Sequence, residues 1–170
     1  MQLQLARCTI RDYRPDDAES LARHANNRKV WLGLRDAFPH PYTVEDAKKF
    51  LEGNVGGLPT IHFCLEVEGE AAGGIGLRPG EDVHRHTAEL GYWLGEQFWG
   101  RGIMSDAVPA FADYCFNQFP LNRIFAMPHS NNPASARVLE KAGFTLEGRL
   151  ARNVVKDGKV LDSLLYAKTK

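Results

Sequence analysis

The stretch AELGYWLGEQFWGRGIMSDAV, residues 88–108, constrains the fold more than any other. It opens with Leu90, Tyr92 and Leu94 in strand-like alternation and closes with apolar residues at helical spacing. Between them lie Gly100 and Gly102, on either side of Arg101. A glycine inside a regular element costs roughly 0.5–1 kcal/mol relative to alanine. Two of them at a strand-to-helix junction predict that something sits against the backbone that a side chain would block. A helix leaves its first four N–H groups without an internal partner, and with the macrodipole they make an anion site. Gly100 and Gly102 remove β-carbons that would keep a phosphate away, and Arg101 adds positive charge. The junction therefore predicts a phosphate or pyrophosphate site.

The remaining punctuation predicts a mixed α/β chain in the order β α α β β β α β α β β. LARCTIRDY, residues 5–13, alternates as a first strand, and residues 14–27 are spaced as a helix with Asp16 or Asp17 near its cap. Residues 30–42, with Pro39, Pro41 and several aromatics, break that pattern; such a loop lines a pocket or packs its rings on the core. Thr43 and Asp46 approximate a capping box for the next helix. Residues 59–80 form a hairpin that turns at EGEA, with Ile61, Phe63, Leu65 and Val67 on one face. Residues 103–116 are helical, with Pro109 predicting a kink. NRIFAM is a short buried strand. Asn132, Pro133 and Gly143 punctuate another helix, and KDGK turns a final hairpin.

At 170 residues the chain suits one domain, residues 1–170. Lysine plus arginine equals aspartate plus glutamate, 21 each, so the basic excess of a nucleic-acid binder is absent. Cys8, Cys64 and Cys115 are far apart and contain no CxxC pair, which fits small buried hydrophobes in a reducing compartment. MQLQLARCTIRDYRP lacks the long apolar run of a signal peptide, and no stretch approaches the roughly 20 apolar residues of a membrane span. The expectation is a cytoplasmic protein with no membrane or nucleic-acid partner. GxxxxGK[ST] is absent, as is GxGxxG with a following acidic residue.

Three motifs in order carry a resemblance: AELGYWLGEQFWGRG, then NNPASARVLEKAGF, then LEGRLAR…DGK…DSLLYA. Together they resemble the GNAT superfamily of N-acetyltransferases, most of all the branch of RimJ/RimL-like ribosomal-protein N-terminal acetyltransferases. The resemblance covers nearly the whole chain and implies a single-domain fold with a mixed, splayed β-sheet flanked by helices. It implies acetyl-CoA as co-substrate, no metal, and acetyl transfer to a primary amine by direct attack. The pyrophosphate arm would lie on the backbone amides of Gln97, Gly100, Arg101, Gly102 and Ile103. The pantetheine arm would pair like an added strand with the backbone of Trp93 and Leu94. Asn132 matches the family asparagine that touches the cofactor arm, and also suits a plain helix cap. Related enzymes often pair, so a monomer or homodimer is expected.

Amine acetylation needs a proton acceptor for the amine, a donor for the thioester oxygen and a donor for the leaving thiolate. Glu89 is expected on a mostly buried strand face with Gly91 and Trp93, where it takes the proton directly or through water; otherwise it is an ion-paired structural glutamate. Ser135 matches the serine of the family's N-x-x-S pattern, a candidate acid near the sulfur, or else a serine that only satisfies first-turn N–H groups. Tyr92 and Tyr166 are weaker donor candidates. An α-amine with pKa near 8 costs about 1.4 kcal/mol to deprotonate at pH 7, and a lysine about 4.6 kcal/mol, which favours α-amines and leaves small polyamines and drug-like amines open. His84 and His86 would share a strand face, but without a third ligand they point to a loop end. His129 is a candidate for the acceptor side. The acceptor regions, residues 31–42 and 145–165, hold Trp31, Arg35, Phe38, Tyr42 and Arg149 without a readable code. The competing function is a noncatalytic acyl-CoA-binding or sensing domain of the same fold.

Overall fold

The computed structural model describes residues 1–54 and 61–170, so the Pro59–Thr60 start of the expected hairpin lies outside the described residues. The strands form one eight-stranded mixed sheet in the order β1-β2-β3-β4-β5-β6-β8-β7. The chain divides into two compact units: residues 1–76 with 92–103, and residues 77–91 with 104–170. β4 (Glu70–Pro79) and β5 (Thr87–Leu94) each contribute to both.

The first unit begins with β1 (Gln2–Gln4) antiparallel to β2 (Thr9–Arg11), in the register Gln2↔Arg11 to Gln4↔Thr9. The one strand expected over residues 5–13 is thus a three-residue strand preceded by a turn, closed by Leu5 N–H donating to the Cys8 carbonyl at 2.9 Å. A polar QLQ edge has too little alternation to announce itself. A 3-10 turn at Pro15–Asp17 leads into α1 (Ala18–Ala25). Asp17 is the N-cap residue of α1, as expected, and its buried carboxylate accepts from Arg14 N–H and from Nη1 and Nη2 of Arg11, each at 2.8 Å. Arg11 Nε donates to Glu66 at 2.5 Å.

A short helix, α2 (Arg28–Leu32), occupies the start of the expected loop. Asn27 caps it, accepting from Lys29 N at 2.8 Å and Val30 N at 3.2 Å. The residues NNR carried that cap signal. α3 (Val44–Asn54) follows the expected capping box: Thr43 N–H donates to Asp46 at 2.8 Å, and Asp46 N–H returns to Thr43 Oγ1 at 3.2 Å. β3 (Ile61–Val67) turns into β4 through Glu68 and Gly69, both at positive φ (55° and 83°), the geometry of a two-residue hairpin loop. Tyr13, Leu21, Ala25, Tyr42 and Leu51 pack as one apolar cluster, with Phe38, Phe50 and Trp93 against it. Gly73 of β4 lets the strands close, because a Cβ there would stand 2.3 Å from the Trp93 carbonyl oxygen.

In the second unit β5 runs parallel to β6 (Arg123–Ala126), as a crossover through a helix requires. That helix, α4 (Ile103–Gln118), continues through Pro109 and buries Ala107, Val108, Phe111, Ala112 and Cys115 completely. α5 (Pro133–Lys141) starts at the Asn132 cap and ends before Gly143, whose φ is +82°. β7 (Thr145–Lys156) and β8 (Lys159–Thr169) close the sheet around Asp157–Gly158, at φ 51° and 70°. His84 lies in a 3-10 turn, Asp82–His84, and His86 precedes β5 with its Nδ1 2.5 Å from the Pro120 carbonyl, so the pair lies at a loop end, as expected, and not on a shared strand face.

All three cysteines are buried, and burial pushes the Cys64 and Cys115 thiols up to about 12. Among the described residues, no helix is long and apolar enough to cross a membrane.

Several surface carboxylates, half-buried or exposed, are held below their ordinary range by hydrogen bonds from side-chain or backbone donors: Glu70 by His24 and Arg23, Glu96 by Lys29 and Asn27, Glu147 by Arg123, and Asp162 by Arg152 N–H and Arg149. A lowered folded-state pKa gives stability that is present above the unfolded value, about 4, and is lost as pH falls through the lowered value. The melting temperature should therefore hold level from pH 7 to about 5 and fall below about 4. A melting temperature that rises on acidification would contradict these pairings.

Candidate active site

The strand-to-helix junction of the first unit is pinned before it reaches the glycine pair. Gly95 N–H donates to the Ala72 carbonyl at 2.8 Å. A Cβ on Gly95 would stand 2.9 Å from His24 Nδ1, so this glycine is required by close packing. Glu96 is tied to α2 through Asn27 Nδ2 at 2.7 Å and through Lys29. Phe98 is buried with its ring centroid 5.3 Å from that of His24. Trp99 folds back, its indole Nε1–H donating to the Leu94 carbonyl at 2.7 Å.

Beyond this anchor the backbone changes hand. Gly100 has φ +74° and Gly102 has φ +75°, while Arg101 between them is not in the positive-φ region. Side chains rarely adopt positive φ, so glycine is favoured at both places by conformation. No protein atom lies within 4 Å of a Cβ built on Gly100, so packing does not select it. Alternation of left- and right-handed residues turns successive N–H groups to one side and makes an anion-binding concavity. It runs directly into α4, whose first residue, Ile103, is buried. The cradle fits a phosphate or diphosphate. Gln97 is exposed on the preceding 3-10 turn, Glu96–Phe98.

The Arg101 side chain does not simply add charge to the cradle. Its guanidinium pairs with Glu68 and lies 5.3 Å from the Phe98 ring centroid. This exposed ion pair is worth about 0–1 kcal/mol, which leaves the backbone amides as the stronger anion-binding feature.

Strand alternation also sorts the two residues expected to pair with a cofactor arm. The Trp93 carbonyl is turned toward β4, beside Gly73. In a strand the N–H and C=O of one residue share a side, and neighbours alternate. Leu94 and Tyr92 therefore direct their main-chain groups to the opposite edge. The Leu94 carbonyl already accepts from Trp99, so its N–H is the group suited to an added strand. The Trp93 side chain packs edge-on to Phe38 at 5.5 Å, in line with the Phe38–Tyr42 contact at 4.9 Å. Nearby, Trp31 stacks on His40 at 5.6 Å and carries Arg28 over its ring at 5.7 Å.

The second unit holds the other candidates. The β5–β6 register ends at Glu89↔Phe125, although β5 continues to Leu94. Glu89 is half-buried and Gly91 exposed, whereas Ala88 and Leu90 are buried. The expected mostly buried face for Glu89 is thus the open one; the core claims the alternate residues. Asn132 is the predicted cap: its Oδ1 accepts from Ser135 N–H at 3.2 Å. Ser135 is half-buried on the first turn of α5. Tyr166 is buried and donates to Glu140 at 2.8 Å; burial and that bond raise its pKa, which disfavours it as an acid. His129 is buried, and its backbone bridges to Ser163.

Residues 7–145 match the family model described as an acetyltransferase (GNAT) domain. The chain belongs to the GNAT acetyltransferase family. As a GNAT protein it is an acyltransferase, and the chemistry is acetyl transfer to an amine. Its relatives include the ribosomal-protein-serine acetyltransferase of Escherichia coli K12, 32% identical over 148 residues, 82% of this chain and 80% of that protein. The N-acetyltransferase p20 of Bacillus licheniformis is 35% identical over 171 residues, 97% of this chain and 94% of its own. RimJ of Mycobacterium smegmatis, solved in complex with a CoA disulfide, has a TM-score of 0.83 at 26% identity, covering 95% of this chain and 81% of that one. The RimJ/RimL-like motifs in the sequence thus led to the right family.

Proposed function

We propose that this GNAT protein is a single-domain, acetyl-CoA-dependent N-acetyltransferase that acts on a protein N-terminal α-amine or a small amine, by direct attack in a ternary complex. The observation that carries the reading is the positive-φ glycine pair opening α4 in a chain of this family. The amides of Gly100, Arg101, Gly102 and Ile103, with Gln97, would hold the diphosphate. Leu94 N–H would meet the pantetheine arm, the Trp93 main-chain groups being turned to β4 instead, and Asn132 would combine its helix cap with a cofactor contact. When bound, acetyl-CoA supplies the acetyl group as a thioester. Glu89 takes the amine proton, directly or through one water, as the new N–C bond forms. Ser135 would give its hydroxyl proton to the sulfur as the C–S bond breaks and would be reprotonated from water, while Glu89 returns its proton to solvent. A half-buried Glu89 retains access to water, which suits the relayed transfer.

Free thiol released from acetyl-CoA, followed across a panel of N-terminal peptides and small amines, tests the reading. Release with at least one acceptor is expected. Silence across the panel with intact CoA binding would favour a noncatalytic acyl-CoA-binding domain. Glu89→Gln and Ser135→Ala should each lower kcat by about tenfold or more, with CoA affinity within about twofold. If both variants retain full turnover, the two assigned roles fall.

A further inference from the structure

The turn between β3 and β4 breaks a local preference at Glu68. This residue has φ 55° and is followed by Gly69 at 83°. Hairpin loops of this geometry favour Asn, Asp or Gly, and a longer side chain at positive φ is strained. Strain kept at a charged surface residue points to a use for its side chain. The Glu68 carboxylate takes Nη2 of Arg101, the residue between Gly100 and Gly102. The same guanidinium lies 5.3 Å from the Phe98 ring centroid. The anion cradle thus has a carboxylate on its own arginine. The Arg101 and Glu68 side chains are 47% and 62% exposed, so water screens the pair, which is worth at most about fivefold in an equilibrium constant. A CoA phosphate carries oxygens that match the guanidinium fork and bind it more strongly.

We propose that Glu68 is a placeholder for a CoA phosphate: it holds Arg101 in the free protein and yields it to the cofactor on binding. This rests on residues 97–103 being the diphosphate cradle. The exchange leaves Glu68 as a bare carboxylate beside a bound anion, so it lowers cofactor affinity and eases release of spent CoA. The Arg101 amide stays in the cradle throughout, and only its side chain changes partner. The phosphate that takes it is the diphosphate or the ribose 3′-phosphate.

Calorimetric titration of the full chain with CoA and with dephospho-CoA, at one fixed low salt concentration, tests this. Glu68→Gln should tighten CoA binding about threefold or more, because the competing charge is gone. In the Glu68→Gln background, Arg101→Gln should then weaken CoA binding about threefold or more. That second step separates exchange from neutralisation. If Arg101 only neutralises Glu68, its loss has no effect once Glu68 is uncharged, and the proposal is overturned. Glu68→Gln that binds CoA no tighter than wild type also overturns it. If Glu68→Gln melts early, Glu68→Asn, which suits positive φ, takes its place with the same expectation. Weakening by Arg101→Gln confined to CoA assigns the contact to the 3′-phosphate, and equal weakening with dephospho-CoA assigns it to the diphosphate; both support the proposal. Should Gly100→Val with Gly102→Val abolish CoA binding while the Glu68 and Arg101 variants bind like wild type, the cradle stands and the placeholder alone is dismissed. If the glycine variant also binds normally, the cradle fails and the proposal fails with it.

Discussion

Replacing Gly100 and Gly102 together by valine should raise the Kd for CoA by about a hundredfold or more, with little change in melting temperature. A β-branched residue at positive φ is a true outlier, and each such residue costs about 1–2 kcal/mol or more. In the free protein the exposed loop can relax to negative φ and avoid that cost. Relaxation turns the amides away from a common side, so the cost reappears on binding. Two substitutions together give about 2–4 kcal/mol, or roughly 30- to 1000-fold in affinity. Gly148→Ala provides the control: Gly148 lies in β7, has no positive φ and has open space around a Cβ. It should leave CoA affinity within about twofold. Calorimetry on both variants checks the contrast, and equal affinity in both would refute the conformational argument.

The second large effect concerns stability. Arg11→Met should cost about 3–5 kcal/mol, lowering the melting temperature by about 6–20 °C. Arg11 and Asp17 are side chains only 6% and 7% exposed, joined by two 2.8 Å bonds, with Glu66 as the third member. Removing the guanidinium leaves Asp17 buried beside the neutral Cys64 thiol without its cation. The hydrogen bonds that Arg11 donates to Asp17 and Glu66 also raise its pKa, the largest contribution coming from Asp17. Arg11→Met combined with Asp17→Asn should recover part of the loss, because the uncompensated charge is gone. A thermal or urea melt in which the single variant falls by less than about 1 kcal/mol would show that the network is structurally idle.

Locally punctuated elements were legible in the letters. The Thr43/Asp46 box, the Asn132–Pro133 cap with Gly143, the Asp157–Gly158 turn and the apolar stripe of α4 all form as read, since each depends on residues within a few positions. β1 was missed because a three-residue polar edge gains its order from pairing with β2. α2 was missed because aromatics and prolines further along masked the Asn27 cap. At the junction, the glycines were legible but the fates of their neighbours were not. The Arg101–Glu68 pair spans 33 positions, and the Asn27–Glu96 bond spans 69. The direction of Trp93 and Leu94 main-chain groups depends on which strand lies beside β5, and the exposure of the Glu89 face on which residues the core takes. Such contacts have no local pattern.

The most direct measurement is an amide chemical-shift titration of isotopically labelled protein with CoA. The amides of Gly100, Arg101, Gly102 and Ile103 should shift most, all saturating at the concentration set by the calorimetric Kd. Saturable CoA binding that moves other amides and leaves these four in place would contradict the account.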